Sequence, residues 1–408
     1  MSFEQFALDR RIVAGTKSVG YDTPTPIQKQ AIPIILRGRD VLGLAQTGTG
    51  KTAAFALPII QHLSSGPAGR VRALIVAPTR ELAEQIHQEI VRLGRNTGIR
   101  SVAIYGGVSK GPQLAALRRG AEVVVACPGR LLDHVDTDGI DLSHVEILVL
   151  DEADRMCDMG FLPDIRRIIR RVPKKRQTLF FSATMPRDIL ALAHGILSDP
   201  ETVRIGANAP AQTVAHAIYP VPEHRRTELL SEMLRKTSTG RVLVFTRTKH
   251  RARSLAARMS KQGHRAAALQ GNMSQNQRQQ AINGFRSGKF DVLVATDIAA
   301  RGIDVLEISH VVNFDMPHNV DAYTHRIGRT GRADRTGEAF TLAVRSDGLM
   351  VRQIERKLGT TLERRRLPGF DYGDGFDPEK QFQPAGPVTS RPGSSSRGRH
   401  RPPGSKRR

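Results

Sequence analysis

A glycine-rich turn at residues 45–52, AQTGTGKT, follows a short apolar run and precedes a helix-like stretch. Backbone N–H groups of such a turn face phosphate oxygens, and the following helix N-terminus adds partial positive charge. In this pattern Lys51 reaches the β- and γ-phosphates, and the Thr52 hydroxyl binds Mg²⁺. The general pattern begins with Gly, where this chain has Ala45. The turn predicts a nucleoside triphosphate site.

Acidic side chains end a second apolar run, ILVLDEAD, at residues 147–154. Asp151 is placed to hold Mg²⁺, usually through water, and Glu152 to polarise the attacking water. Acids at a strand end also cap helices, and this segment alone does not separate the two interpretations. Because a phosphate-binding turn lies upstream in the same half of the chain, the catalytic interpretation is favoured.

Two arginines lie three residues apart in YTHRIGRTGR, residues 323–332. Arg329 and Arg332 could converge on one anion, and an arginine at a phosphoryl-transfer site raises the rate roughly 10³–10⁵-fold. The alternative is a solvated basic surface. Gly328 and Gly331 fit a tight loop better than a surface helix and favour the first interpretation.

The elements that position these groups alternate between short apolar runs and helix-like stretches. Nearly unbroken, β-branched runs are typical of strands buried on both faces of a parallel sheet. In the first half they lie at residues 40–45, 72–78, 101–107, 122–128, 146–154 and 178–184; in the second half, at residues 241–248, 264–271, 290–297, 310–317 and 337–344. The pattern predicts two doubly wound α/β domains with a cleft between them.

The predicted boundaries are a first domain at 1–205, a linker at 206–214, a second domain at 215–368 and a tail at 369–408. Within the first domain, the ATPase core runs from about residue 32 to 205. The last 19 residues contain no acid and are rich in Gly, Pro, Ser and Arg. Such a segment buries too little apolar surface to order, so a disordered basic tail is expected. Its deletion from residue 369 is expected to leave the core folded.

The chain of 408 residues carries a net charge of +23 and has a pI near 10.9. This surplus indicates a polyanionic partner, most commonly nucleic acid, although a solubilising surface is the alternative. Two cysteines, Cys127 and Cys157, exclude a disulfide framework. No signal-peptide h-region and no run of the ~18 apolar residues needed for a membrane span is visible. We expect a soluble, cytoplasmic protein with no membrane partner.

The motifs, taken in order, resemble those of the DEAD-box RNA helicases of helicase superfamily two. They are AQTGTGKT (45–52), PTREL (78–82), DEAD (151–154), SAT (182–184), VATDIAARGID (294–304) and HRIGRTGR (325–332). The resemblance runs from Phe3 to about residue 365, and this family uses Ala at the head of the phosphate turn. It implies tandem RecA-like domains. The segment FTRTKHRA (245–252) and the basic tail are most similar to the bacterial RhlE-like branch.

The resemblance also implies the residues that bind ATP. GYDTPTPIQ (20–28) resembles the Q motif, within residues 1–29, and a Gln amide suits the adenine edge chemically. Otherwise TPTP would be interpreted as a turn before a helix. Asp304 matches the residue that senses the ribose. The implied ATP-binding set is Phe3, Tyr21, Thr25, Gln28, Ala45, Gln46, Thr47, Gly48, Thr49, Gly50, Lys51, Thr52 and Asp304.

The resemblance also implies which residues couple the ATP-bound state to RNA binding. They are Asp154, Ser182, Thr184 and His325. The implied RNA contacts are Pro78, Thr79, Arg80, Gly106, Gly107, Gly129, Arg130, Arg247, Gln275, Arg278 and Thr296. Where the family has TPGR, this chain has Cys127-Pro128-Gly129-Arg130. Replacing a hydroxyl with a weaker thiol puts a phosphate contact at Cys127 in doubt.

The expected activity is RNA-stimulated ATP hydrolysis, with Mg²⁺, coupled to local separation of short RNA duplexes or remodelling of ribonucleoprotein. Binding should tolerate sequence and depend strongly on salt, because phosphate contacts dominate. Two alternatives stay open. One is a superfamily-two helicase acting on DNA, which the DEAD tetrad and Q motif disfavour. The other is an ATP-gated RNA clamp with little unwinding, which would keep the same motifs.

Overall fold

The computed structural model describes residues 2–45, 48–137, 139–205, 214–236, 240–300, 308–331 and 337–377. Its strands form two seven-stranded sheets, one in each half of the chain, and every described strand pairing is parallel. The predicted pair of parallel α/β sheets is therefore confirmed.

The first sheet has the strand order β3-β4-β2-β5-β6-β1-β7. Its strands are β1 (Val41–Leu44), β2 (Ala73–Val76), β3 (Ser101–Ile104), β4 (Val123–Ala126), β5 (Ile147–Leu150), β6 (Gln177–Ser182) and β7 (Glu201–Arg204). Strands β2, β4 and β5 are buried throughout, which explains their unbroken apolar runs. Strand β7 was not predicted, because Val203 is its one buried residue.

Helices cover both faces of this sheet. They are α1 (Arg10–Ser18), α2 (Pro26–Leu36), α3 (Lys51–Leu63), α4 (Arg80–Leu93), α5 (Lys110–Arg118), α6 (Pro128–Val135), α7 (Ala153–Asp158), α8 (Leu162–Arg171) and α9 (Arg187–Ile196), with a 3₁₀ helix at Phe3–Phe6. One apolar cluster packs α1 to α4 on one face, and a second packs α6, α8 and α9 on the other. The helices that follow β1, β2 and β4 begin at the strand ends, as a ligand-binding edge requires.

The second sheet has the order β10-β11-β9-β12-β13-β8-β14. Its strands are β8 (Val214–Pro220), β9 (Arg241–Thr246), β10 (Ala266–Leu269), β11 (Val292–Thr296), β12 (Ile308–Asn313), β13 (Gly337–Ala343) and β14 (Glu363–Arg364). The described helices are α10 (Arg226–Lys236), α11 (Lys249–Lys261), α12 (Gln275–Arg286), α13 (Asp297–Ala300), α14 (Val320–Ile327) and α15 (Gly348–Leu358), with 3₁₀ helices at Glu223–Arg225 and Arg345–Asp347. Strands β8 and β14 were not predicted.

The predicted boundaries need two corrections. Val214, assigned to the linker, begins β8 and is buried beside β13. The assigned tail also begins too early, because Phe370, Tyr372 and Phe376 pack on the core of the second domain. The Tyr372 hydroxyl accepts the Leu367 N–H at 2.9 Å, and the Phe370 and Tyr372 rings meet edge to face with centroids 4.9 Å apart. Aromatic burial outweighs the local Gly and Asp content that suggested disorder.

Residues 206–213 of the assigned linker and 378–408 of the assigned tail lie outside the described residues. Within the described part of the chain, none of the helices combines the length and apolar character that crossing a bilayer requires.

Candidate nucleotide and nucleic-acid site

Three neighbouring strands of the first sheet, β5, β6 and β1, bring the predicted nucleotide-binding groups together at their carboxyl ends. Asp151 follows β5, Ser182 ends β6, and Ala45 follows β1. Gly48 and Gly50 have φ angles of 84° and 93°, a left-handed conformation that glycine adopts without strain. Gln46 and Thr47 lie outside the described residues.

The Lys51 side chain is held inside the first domain at the start of α3. Its ammonium donates a hydrogen bond to the Ala45 carbonyl at 3.0 Å and lies 3.9 Å from Asp151 Oδ1. A buried ammonium needs such partners because desolvation without them is costly. From this position Nζ can turn toward a phosphate that enters the glycine-rich turn. Thr52 comes directly after Lys51.

The acidic pair Asp151 and Glu152 is buried, and the pKa values of the two carboxyls shift in opposite directions. Burial raises the pKa of Asp151; Lys51 opposes this shift and the charge on Glu152 adds to it. Burial also raises the pKa of Glu152, but the cations Arg155, Lys51 and Arg329 together bring it below its ordinary value. The Arg155 guanidinium donates directly to Glu152. Glu152 is therefore ionised at neutral pH, as a water-polarising carboxylate must be.

Glu152 also has an unusual backbone, with φ = 53°. A non-glycine residue in the left-handed region is uncommon, and such residues concentrate at functional sites. Here the conformation turns the chain from the end of β5 into α7 while the Glu152 N–H donates to Asp151 Oδ1 at 3.0 Å.

The donor set fits Mg²⁺ bound together with a nucleotide. No cluster of three or more His, Cys, Asp or Glu side chains suited to a metal occurs among the described residues. Mg²⁺ keeps several waters and is held by one or two protein oxygens plus substrate phosphates. The Asp151 carboxylate and the Thr52 hydroxyl beside the phosphate turn match that requirement.

The second domain contributes Arg329 to this site. Arg329 follows α14, is only 4% exposed, and lies close enough to Glu152 to lower the pKa of that carboxyl. The structure thus brings Arg329 and the acidic pair together across the two domains. Arg332 and Asp304, the other second-domain residues assigned to the nucleotide, lie outside the described residues.

Asp154 is the centre of a hydrogen-bond network that joins the two predicted coupling motifs. Its Oδ2 accepts from the Thr184 N–H at 2.8 Å, the Thr184 hydroxyl at 2.9 Å and the Ala183 N–H at 3.2 Å. Ser182 Oγ accepts the Asp154 N–H at 3.2 Å and donates to the Thr184 carbonyl at 2.7 Å. Ser182 and Thr184, two of the residues assigned to coupling, therefore both bond to Asp154.

His325 approaches this network from the second domain. Burial lowers its pKa, and the neighbouring Arg155 adds to that shift while Asp154 opposes it. His325 and Thr184 both line an interdomain cavity of about 320 Å³. The four residues assigned to coupling therefore lie together.

The Q-motif residues contact the phosphate turn and one another. Gln28 Oε1 accepts the Thr25 N–H at 2.9 Å, and Gln28 Nε2 donates to the Gly50 carbonyl at 3.1 Å. The rings of Phe3 and Tyr21 are stacked, with centroids 6.3 Å apart. An amide has two donor hydrogens and two acceptor lone pairs, so Gln28 keeps capacity for an adenine edge.

A second cavity of about 440 Å³ lies between the domains and collects most of the predicted RNA contacts. The predicted residues on its wall are Pro78, Thr79, Arg80, Gly106, Gly129, Arg130, Gln275 and Arg278. Gly107 lies beside Arg80: a Cβ at Gly107 would come within 1.9 Å of that guanidinium. Glycine here leaves space for Arg80 in the cleft.

Besides Gly107, two more predicted RNA contacts, Arg247 and Thr296, are not on the wall of this cavity. The Arg247 backbone N–H donates to Asp315 Oδ2 at 2.8 Å, and its side chain reaches the Met316 carbonyl at 3.5 Å. The Thr296 hydroxyl accepts the Ala299 N–H at 3.4 Å, as a helix cap. Both residues therefore form hydrogen bonds within the second domain, next to the ends of β9 and β11.

Two interdomain contacts cross the cavity. Arg278 Nε donates to Glu81 Oε1 at 2.8 Å, and Arg80 lies 3.4 Å from Gln275 Oε1.

Cys127 also lines the cavity. Burial raises the pKa of the Cys127 thiol to about 12, so this group stays protonated. A neutral thiol is a weak donor, which agrees with the doubt about a phosphate contact at this position.

Sequence reasoning missed three charged residues of the interdomain site: Arg155, Glu81 and Arg326. Arg326 pairs with Asp297 at 2.6 Å, donates to the Asp315 carbonyl at 2.6 Å and lies over the Phe245 ring at 5.1 Å. Glu81 and Arg326 lie inside the motifs at 78–82 and 325–332, and Arg155 directly follows the acidic tetrad, so the motifs themselves were the available signal. The partners of Glu81 and Arg326, which are Arg278 and Asp297, lie in other segments of the chain and could not be assigned from the sequence.

Comparison with known proteins gives consistent matches over nearly the whole chain. The family described as DEAD/DEAH box helicase matches residues 25–192, and the helicase conserved C-terminal domain matches residues 225–334. The chain is 41% identical to the ATP-dependent RNA helicase CshA of Listeria monocytogenes, over 90% of this chain and 71% of that protein. It is also 41% identical to the DEAD-box ATP-dependent RNA helicase RhpA of Helicobacter pylori, over 90% and 74%.

Among solved structures, S. cerevisiae Dbp5 bound to RNA and ADP BeF3 matches with a TM-score of 0.81 at 30% identity. The match covers 89% of this chain and 95% of that one. A DEAD box protein from Methanococcus jannaschii matches with a TM-score of 0.54 at 37% identity, covering 90% and 99%.

Proposed function

The chain belongs to the DEAD-box ATP-dependent RNA helicases, and from this premise we propose which residues of each domain bind ATP, hydrolyse it and bind RNA. Its two domains are RecA-like, and it is an ATP hydrolase that binds RNA. In our proposal the first domain holds ATP through the Q motif and residues 45–52. The second domain completes the site with Arg329, Arg332 and Asp304. Neither domain hydrolyses ATP efficiently alone.

The observation that carries this proposal is the burial of Arg329, from the second domain, near Glu152 of the first. Phosphoryl transfer spreads negative charge over the equatorial oxygens, which a positioned guanidinium stabilises. Glu152, kept ionised by Arg155, orients and polarises the attacking water. Mg²⁺, bound through Asp151 and Thr52, would neutralise phosphate charge. Lys51 turns from the Ala45 carbonyl toward the β- and γ-phosphates.

RNA binding is coupled to hydrolysis through closure of the two domains. In this proposal the RNA backbone lies in the cleft lined by Arg80, Arg130 and Arg278, so it contacts both domains at once. Closure also seats His325 beside the bonded pair Asp154 and Thr184. Because the same closure completes both sites, ATPase activity should rise with RNA and unwinding should act locally on short duplexes.

The test compares ATPase stimulation by poly-uridine RNA with stimulation by single-stranded DNA, together with release of a strand from a short RNA duplex. RNA-selective stimulation with strand release supports the proposal. Equal stimulation by DNA would favour a DNA-directed helicase. Tight ATP-dependent RNA retention without strand release would favour an RNA clamp.

We further propose placement in the RhlE-like branch, on the basis of FTRTKHRA (245–252) and the basic C-terminus; the relatives reported above are named CshA and RhpA. We assign the first domain to residues 1–205 and the linker to 206–213. The second domain spans 214–377 and the basic tail 378–408. A cytoplasmic location follows from the proposed substrates, ATP and RNA.

A further inference from the structure

A cavity of about 1050 Å³ in the second domain lies outside both sites above. It runs along the outer edge of the second sheet, where β10 is the edge strand, between the N-terminal part of α11 and one side of α12. Its floor includes Ala267, Ala268 and Ala281. We call it the edge groove.

The edge groove is cationic and rich in amides. Lys249, His250, Arg253 and Lys289 line it, and its described lining includes no Asp or Glu. The remaining polar residues on its wall are Gln270, Asn272, Gln277, Gln280, Asn283 and Ser287. In the part of the chain that the structure describes, Lys249, Arg253 and Lys289 form no ion pair with an acid. Lys249 instead donates to the Asn272 amide oxygen at 3.1 Å. Such a surface is complementary to a polyanion.

The groove contains an aromatic ring, that of Phe290, which packs closely against Gly284. A Cβ at Gly284 of α12 would come within 2.6 Å of the Phe290 ring, so glycine permits this close packing. The Lys289 ammonium lies 5.7 Å from the centre of that half-buried ring. A ring flanked by cations is the usual platform on which a nucleobase stacks while phosphates pair with the charges.

The groove adjoins the proposed RNA cleft. Met273 lines both cavities, and Gly271 on the wall of the cleft is flanked by Gln270 and Asn272 on the wall of the groove. Helix α12 separates the two, with Gln275 and Arg278 facing the cleft and Gln277 and Gln280 facing the groove. A strand leaving the cleft past the loop at 270–274 enters the groove directly.

We propose that the edge groove binds a single-stranded extension of the RNA held in the cleft, so that the second domain grips nucleotides outside the interdomain site. This inference rests on the RNA-binding function proposed above. The basic tail is a poor occupant because its charge has the same sign. Strand addition by a peptide is disfavoured because Ser260 Oγ already donates to the Ala266 carbonyl at 3.1 Å at the start of β10.

The test measures RNA affinity by fluorescence anisotropy, with the full chain and a non-hydrolysable ATP analogue. The probes are oligo-uridines of about 6 and about 20 nucleotides, one near the lower end and one beyond the upper end of the ~4–16 nucleotides that a single strand-binding surface covers. The variant K249Q/R253Q/K289Q removes three exposed groove charges. The matched control K261Q/R352Q/R356Q removes three exposed cations elsewhere on the second domain.

The groove variant should bind the short RNA like wild type but lose roughly tenfold or more of its affinity for the long RNA. Its log–log salt slope for the long RNA should fall by about 2 to 3, one for each lost phosphate contact. The control variant should keep the full length dependence, and F290A should reduce long-RNA affinity without changing the salt slope.

Unchanged long-RNA affinity in the groove variant would overturn the inference, and retention of an acidic peptide there would assign the groove to protein docking instead. Failure of the proposed cleft function is seen separately. It would appear as absent short-RNA binding in the wild-type protein, whatever the groove variant does.

Discussion

At the scale of single residues, the nucleotide site is a set of buried charges stabilised by opposite charges close by. Lys51 from α3 faces Asp151 after β5, and Arg155 from α7 holds Glu152. Burial of these groups is tolerated because they are paired. The arrangement presets protonation states before a nucleotide arrives.

Replacing Glu152 with Gln should lower the ATPase rate roughly 10²–10⁴-fold, because a group that polarises the attacking water contributes about that much. ATP and RNA binding should persist, since the amide keeps the shape of the side chain. Steady-state ATPase and nucleotide titration measure the two effects. Asp164→Asn on α8 is the control and should leave turnover unchanged; normal turnover in the Gln variant would refute the assigned role.

Acid should weaken RNA-stimulated turnover through His325. Burial and Arg155 lower the pKa of His325 in the closed structure below the ordinary histidine pKa of about 6.5, and separation of the domains would remove this shift. As pH falls through this value, the open form takes up a proton that the closed form binds weakly, so closure becomes less favourable. A pH series of RNA-stimulated ATPase checks this for wild type and for His325→Gln. The variant should give a flatter profile on the acid side; identical profiles would contradict the idea.

At the scale of elements, strand order decides which motifs meet. Strands β5, β6 and β1 are neighbours, so residues more than 100 positions apart in sequence lie at one sheet edge. Helices α4 and α12, from different domains, meet through Glu81 and Arg278. This pair is mostly buried, with 9% and 13% of the side chains exposed.

The Glu81–Arg278 pair should stabilise domain closure. In a double-mutant cycle with Glu81→Ala and Arg278→Ala, we expect a coupling energy of about 0.5–3 kcal/mol for closure, as found for residues in direct contact. Energy transfer between dyes on the two domains, titrated with nucleotide analogue, measures it. The Arg265–Asp291 pair lies within one domain and should give no coupling for closure. Additive effects at Glu81 and Arg278 would show that the contact does not contribute.

At the scale of the whole molecule, the boundary of the second domain lies later than composition suggests. Truncation after residue 377 should leave the melting temperature unchanged, whereas truncation after residue 368 should lower it. The longer deletion removes Tyr372, which is 5% exposed, together with its partners Phe370 and Phe376. Each fully buried aromatic contributes about 1.5–3 kcal/mol. Thermal unfolding of the two truncations provides the measurement, and equal melting temperatures would show that this packing is dispensable.

The basic residues at 378–408 should contribute to RNA affinity without contributing to the fold. Truncation after residue 377 is expected to weaken RNA binding and to reduce its dependence on salt, because fewer counterions are released. Affinity measured over a range of salt concentrations tests this. An unchanged slope would indicate that these residues do not touch RNA.

The sequence by itself determined the chemistry and the class of fold. The chemistry is carried by local patterns of neighbouring residue types, at residues 45–52, 151–154 and 325–332. Buried parallel strands can be predicted from sequence because both of their faces are apolar. Edge strands such as β7 and β14 escaped prediction because little of their surface is buried.

Tertiary structure decided which distant residues share a site. The approach of Arg329 to Glu152 and the contact of Arg278 with Glu81 depend on strand order and domain closure. The packing of Tyr372 likewise depends on a core assembled from several strands. These features arise from desolvation and charge pairing between segments far apart in sequence, which no local pattern encodes.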